Sequence, residues 1–233
     1  KPFWGGTYFP KEPKYGIPAF KDVLTSIAKS HAEDPETIIK NQKLIFEALN
    51  KLDTKNSIDI NIEELIVTTE KKIIENCDLK YGGLNGAPKF PQLFIYDFLL
   101  NLFVKDNDPK KLNIITNTLD NICSGGIFDH VAGGLSRYSV DELWLVPHFE
   151  KMLYDNAQLL LLLSKFYLVS HKKAYKDKAK QIADWLINEM QDESGGYYSA
   201  IDADSEGVEG KFYIWSYKEL KNILRDDLRF FSE

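Results

Sequence analysis

From residue 61 onward, apolar residues recur at intervals of three and four, and the recurrence is broken by paired glycines at Gly82-Gly83, Gly125-Gly126 and Gly195-Gly196. A 3.6-residue period sustained this far predicts amphipathic helices, and each glycine pair suits a left-handed helix stop. Asn61, with Glu64 three residues on, caps a helix to about Cys77. Phe94–Val104 reads as a strongly apolar helix. Asp108-Pro109 opens another, carrying Leu112, Ile115, Leu119 and Ile122. Pro147 opens a long helix to about Ser170, Tyr175–Met190 is amphipathic, and Ser216 with Glu219 caps a last one. Only Gly196–Ile201 and Lys211–Trp215 look like strands, and they resemble a small β-hairpin around a long loop. The reading is of stacked helical hairpins whose Gly-Gly loops gather at one end, where a helical scaffold would hold a site. The alternative is a plain bundle in which the glycines only stop helices.

The start of the chain differs. Phe3–Phe9 is aromatic and β-prone and predicts a short strand and turn before Pro10 and Pro13. Pro18 sits where a helix would begin, ahead of Phe20, Val23, Leu24, Ile27 and Ala28. Asp34-Pro35 opens a second helix with Ile38, Ile45, Leu49 and Leu52 on one side, and Thr54–Asp59 reads as a linker. The expected division is therefore 1–55 and 56–233. With 44% apolar and 27% charged residues the chain has an ordinary globular balance, and a net charge of −6 argues against nucleic-acid and membrane partners. Cys77 and Cys123 form no CxxC pair and read as packing residues. The longest apolar run, Leu159–Leu163, is far short of a membrane span, and no signal peptide is visible, so a cytoplasmic location is expected.

Four segments could carry chemistry. The turn Leu84–Pro91 would present Lys89 and Phe90 rigidly between prolines, or Pro88 and Pro91 merely shape a connection. In the loop Ile127–Asp141, Arg137 and Tyr138 could grip a polyhydroxy or anionic ligand, or Arg137 could simply pair with Asp129 or Asp141. On a helix starting near Pro147, His148, Lys151 and Asp155 would share one face and Glu150 another. The helix dipole there would favour a neutral, basic imidazole, and the bland alternative is a Lys151–Asp155 ion pair. Finally, Asp202, Asp204, Glu206 and Glu209 crowd carboxylates into IDADSEGVEG. The run begins like an EF-hand but fails at its twelfth position, Tyr213, so no metal or other cofactor is assigned. The carboxylates could serve a sugar reaction, or form a solvated turn.

Five blocks together resemble one family: Gly5-Gly6-Thr7-Tyr8-Phe9-Pro10, Gly86 through Pro91, Arg137 through Asp141, Trp144 through Ala157, and Asp202 through Gly207. On these the chain resembles the spermatogenesis-associated thioredoxin-domain proteins. The resemblance implies a thioredoxin-like domain followed by an (α/α)6 toroid, similar to N-acylglucosamine and cellobiose 2-epimerases and six-hairpin glycosidases. It further implies a mainly α internal fragment: the tail of the thioredoxin-like domain over 1–55 and about half of the toroid over 56–233. The middle loop departs from the family pattern at His130, Ala132 and Leu135.

The candidate acid–base groups are therefore His148, Asp155, Asp202, Asp204 and Glu206, expected to face one cleft. Lys89, Phe90, Arg137, Tyr138, Trp144, Glu150, Lys151 and Tyr154 are the candidate contacts for a sugar-like small molecule, with Phe90, Tyr138 and Trp144 as stacking surfaces. Epimerisation in this shape of protein leans on paired histidines, and only His130 could partner His148. The rival is a non-catalytic binding or redox module working with an upstream thioredoxin-like part. An open half-toroid would leave apolar helix faces exposed, so self-association is expected.

Overall fold

A computed structural model of the chain describes residues 2–14, 16–52 and 61–231, and separates two compact units, Lys1–Asn61 and Ile62–Glu233. The expected linker Thr54–Asp59 and the 55/56 boundary lie outside the described residues. In the first unit, helices α1 (Phe20–Glu33) and α2 (Pro35–Leu52) pack together. The Asp34 carboxylate accepts the Thr37 N–H and hydroxyl, and Pro35 takes the first helical position, where no N–H is needed. Pro18 lies one residue before the α1 N-cap, Ala19, rather than inside the helix. The strand expected over Phe3–Phe9 is absent among the described residues. Its aromatics instead form a cluster, with Phe9 5.6 Å from Trp4 and 5.3 Å from Phe20 between ring centroids.

The second unit is mainly helical. α3 (Ile62–Asn76) leads into two helical hairpins, α4 (Leu93–Asp106) with α5 (Pro109–Ser124), and α6 (Leu153–Ser170) with α7 (Lys173–Trp185). α4 and α6 are apolar nearly all round and pack against each other, each backed by its own partner. Leu99, Ile115, Leu119, Leu159, Leu163, Phe166 and Ile182 are fully buried between them. Asp108 caps α5 by accepting the Lys110 N–H, and Ser216 and Glu219 form a reciprocal capping box on α8 (Tyr217–Leu224).

The loops between helices form one hydrogen-bonded rim, built on a repeat that the glycine pairs only partly reveal. At Asp78–Gly83, Asp129–Gly134 and Asp192–Gly196 the aspartate N–H donates to the second glycine's carbonyl, at 2.8–2.9 Å, and the first glycine's N–H returns to the aspartate carbonyl. Each aspartate Oδ1 also accepts backbone N–H groups from within the turn. The bridges Cys77↔Leu84 and Phe128↔Leu135 close the first two turns identically, and Gln191↔Tyr197 closes the third, which is one residue shorter. The true second member is therefore Gly133-Gly134 and not Gly125-Gly126. Gly125 ends α5 in an extended conformation, at φ −75° and ψ 169°. Glycine is required at the second position of the first two turns, where φ is positive and a Cβ would lie 2.4 Å from the Trp144 ring at Gly83 and 2.7 Å from the Trp185 ring at Gly134.

Short strands complete the rim: β1 (Tyr138–Ser139) with β2 (Pro147–His148), β3 (Lys151–Met152) with β4 (Ala200–Ile201), and β5 (Asp204–Ser205) with β6 (Val208–Glu209). The anticipated hairpin is thus wrong in its pairing. β4 joins β3, and Lys211–Tyr213 lies in a turn. The expected helix from Pro147 also begins six residues late, at Leu153. His148 and Lys151 are held by strand partners, Tyr138 and Ile201, which outweighs the helical periodicity of the sequence. Just before, Asp141 accepts the N–H groups of Leu143, Leu145 and Val146, and so shapes the turn that delivers Pro147 in extended form.

Candidate functional site

Because residues 147–151 are extended, their side chains alternate between two faces. His148 and Glu150 point one way; Pro147, Phe149 and Lys151 line a cavity on the other. The helical stripe of His148, Lys151 and Asp155 therefore does not exist.

On the first face the side chains form a nearly closed circuit. His148 stacks on Tyr138 at 4.7 Å and 17°, and Tyr138 lies 4.7 Å from Phe90. Phe90 shares a cavity of about 240 Å³ with Gln92, Phe94, Tyr154, Asp155 and Gln158, at the N-terminal ends of α4 and α6. Arg137 interacts with Tyr154 and donates to Glu150 Oε2 at 2.5 Å, and that same oxygen is 3.9 Å from His148 Nε2. His148 Nδ1 is 2.7 Å from Glu209 Oε1. Arg137 thus pairs with neither Asp129 nor Asp141.

Two buried polar atoms in this group have no hydrogen-bond partner, Asp155 Oδ2 and Arg137 Nε. Burial pushes the Asp155 carboxyl up to about 6; Arg137 opposes the shift and Glu150 adds to it. A carboxyl lining a cavity and poised near neutrality can exchange a proton with a ligand there.

The acidic loop meets His148 through Glu209 alone. Glu206 and Gly207, both with positive φ, turn β5 into β6 and set Glu209 opposite Asp204. Asp202 accepts the Asp204 N–H, Glu206 pairs with Lys211, and Asp202, Asp204 and Glu206 are all exposed. None of these three touches His148, so their expected part in a shared cleft is corrected to Glu209. Among the described residues, no group of three or more His, Cys, Asp or Glu side chains could hold a metal ion.

Three of the expected ligand contacts are interior supports. Lys89 is 2% exposed and donates to Asp78 at 2.6 Å and to the Gly82 carbonyl at 3.0 Å. Lys151 is its counterpart in the second turn, donating to Asp129 at 2.8 Å and the Gly133 carbonyl at 2.9 Å, and it makes no pair with Asp155. Trp144 is fully buried, its indole N–H donating to the Tyr81 carbonyl at 2.9 Å. In the first two turns a buried lysine answers the aspartate carboxylate and a ring covers the second glycine, whereas in the third the Asp192 carboxylate accepts the Ser194 and Tyr198 hydroxyls instead. His130 is engaged by the Gly125 carbonyl and Lys178, on the Lys151 side of the strand, so the paired-histidine arrangement with His148 is not formed. Gln92, Phe94 and Gln158 were not anticipated. Gln158 stands three residues after Asp155 on α6, a spacing that could have marked it.

The family Thioredox_DsbH, described as a protein of unknown function, DUF255, matches residues 1–50. Spermatogenesis-associated protein 20 of Homo sapiens is 35% identical over 238 residues, covering 96% of this chain and 30% of that protein. The Rattus norvegicus protein of the same name is 34% identical over all of this chain and 31% of its own length. The chain thus spans about a third of the length of these relatives. Among solved structures, the cellobiose 2-epimerase from Bacillus thermoamylovorans aligns with 70% of this chain and 49% of its own, at TM-score 0.51 and 15% identity. A family 76 glycoside hydrolase from a bovine Bacteroides thetaiotaomicron strain aligns with 65% of this chain and 34% of its own, at TM-score 0.50 and 22% identity. These likenesses establish the six-hairpin fold type. No described helix is long and apolar enough to cross a membrane.

Proposed function

We propose, on the premise that the chain is a relative of spermatogenesis-associated protein 20, that the rim of its second unit binds a sugar or sugar-like metabolite and handles a proton on it. The observation that carries this is Asp155, an unpartnered carboxyl raised to about 6 in a cavity between the starts of two apolar helices. Phe90 and Tyr154, 39% and 48% exposed, offer flat faces for a sugar ring, and Gln92 and Gln158 supply amides for hydroxyls. Asp155 serves as the acid–base group. His148, fixed by Glu209 and stacked on Tyr138, together with Arg137 and Glu150, positions the ligand. Epimerisation or isomerisation would draw one proton from beside a carbonyl; hydrolysis would need a second carboxylate, for which Glu150 is nearest to hand. The six-hairpin likeness to a cellobiose 2-epimerase and a glycoside hydrolase supports this class of ligand.

A second reading, a binding module without turnover, is favoured by the pairing of Arg137 with Glu150 and His148 with Glu209, which leaves Asp155 as the one unpaired carboxyl in the circuit. The two separate in one experiment on the whole chain. Neutral mono- and disaccharides are screened for binding by calorimetry, and solvent deuterium incorporation and reducing-end release are then followed on those that bind. Turnover abolished in Asp155→Asn with binding retained supports catalysis. Binding without turnover supports the module, and no saccharide binding overturns both. The exposed apolar side chains Val104, Leu161 and Leu168 on α4 and α6 support self-association, which light scattering tests directly.

A further inference from the structure

The opposite face of the 147–151 strand carries a larger cavity, about 490 Å³, within the usual range for small-molecule sites. Its walls are the rings of Phe128, Phe149 and Tyr213, the last two stacked at 5.6 Å and 10°, and its rim carries Phe212 and Trp215. These rim rings are 76% and 52% exposed, an unusual outlay of aromatic surface beside a hollow.

Three polar side chains that line the cavity, Lys151, Asp129 and His130, already have partners, and Ser136 and Tyr213 add only hydroxyls. Lys151, with a side chain 2% exposed, gives its N–H groups to Asp129 and the Gly133 carbonyl, and its ammonium lies 5.1 Å and 4.9 Å from the centroids of Trp185 and Tyr213. Asp129 is filled in turn by Lys151 and by the N–H groups of Val131 and Ala132. His130 spends both ring nitrogens on the Gly125 carbonyl and Lys178. The Lys151–Asp129 pair is neutral overall, and among the described residues none that line this cavity carries a buried donor or acceptor without a partner, in contrast to Asp155 Oδ2 in the other cavity. A ligand charge placed against that pair would lose hydration without gaining a partner.

We propose that this cavity is a second binding site, separate from the Asp155 cavity, for a neutral planar aromatic ring held between the wall rings and the rim pair Phe212 and Trp215. Ring-on-ring contact and loss of water from the exposed rim supply the affinity.

The test titrates indole into the whole chain and follows the Trp215 indole N–H by nitrogen-edited NMR, with Trp144 as an internal control; methyl mannoside and benzoate are titrated separately. The expected result is a saturable shift of Trp215, an unmoved Trp144, and binding about threefold to tenfold weaker in Phe212→Ala, the range that loss of one aromatic contact implies. Phe212 is largely exposed, so this variant should fold, and its unchanged NMR spectrum elsewhere verifies that. Absence of saturable indole binding, equal affinity in Phe212→Ala, or methyl mannoside or benzoate shifting Trp215 as strongly as indole would each overturn the proposal.

Discussion

Replacing Asp155 by Asn keeps the shape of the side chain and removes its charge at every pH. In the folded chain burial raises this carboxyl to about 6, from an ordinary 3.8. Below about pH 3 the group is protonated whether the chain is folded or not, and it adds no penalty. As pH rises, the unfolded carboxyl ionises first while the folded one holds its proton, so stability falls across the window between those two values and stays lowered above it. A displacement of about two pH units corresponds to about 3 kcal/mol, and partial contact with solvent reduces it to about 1–3 kcal/mol. Asp155→Asn is therefore expected to match the parent near pH 3 and to exceed it by about 1–3 kcal/mol at pH 7. Urea unfolding of both proteins, followed by helical circular dichroism in steps across that range, reads the difference directly, because every other titrating group cancels between them. A variant less stable than the parent at pH 7, or a gap that does not change with pH, would refute the reasoning: the carboxylate would then have a partner that offsets its burial.

Lys151→Met should cost about 3–5 kcal/mol by stranding Asp129, and the double variant with Asp129→Asn should recover part of that, which a double-mutant cycle in urea measures. Gly134→Ala should destabilise the fold by about 2 kcal/mol or more, seen as a lowered melting temperature, because the new Cβ meets the Trp185 ring in a backbone conformation unfavourable to alanine. Trp144→Phe should cost about 2–3 kcal/mol in urea unfolding, because it removes both the indole bond to Tyr81 and the part of the buried ring that lies over Gly83. Glu209→Gln should leave stability within about 0.5 kcal/mol, since the pair is half exposed, yet weaken ligand binding in calorimetry by freeing His148.

What the sequence disclosed depended on the range of the interaction. The hairpin α4–α5, the Asp108 and Ser216 caps and the all-round apolar helices α4 and α6 follow from local pattern, because capping and burial repeat within a few residues. The Pro147–Met152 segment misled because its apolar spacing also fits a helix, while the strands that hold it come from residues 138–139 and 200–201. Lys89, Lys151 and Trp144 looked like ligand contacts for a related reason. A charged or aromatic residue in a loop advertises function, and nothing near it in sequence shows the aspartate or glycine that has claimed it. The glycine pair at 125–126 matches the others in composition alone: it lacks the aspartate that stands four residues before Gly82 and Gly133 and makes the turn.

The extended conformation at 147–151 also explains how one short block can serve two different environments. A helix there would have brought Lys151 beside Asp155, paired the two and satisfied the one buried carboxylate oxygen that, among the described residues, has no hydrogen-bond partner. In strand form alternate side chains separate: Lys151 is drawn to Asp129 and closes the base of the aromatic cavity, while His148 and Glu150 are left to Glu209 and Arg137. Asp155, just inside α6, then meets no lysine and keeps its raised affinity for a proton. The Asp–Gly-Gly turn that captures Lys151 is thus a structural device with an electrostatic consequence, since by holding a cation on one face it leaves the Asp155 carboxyl without one on the other.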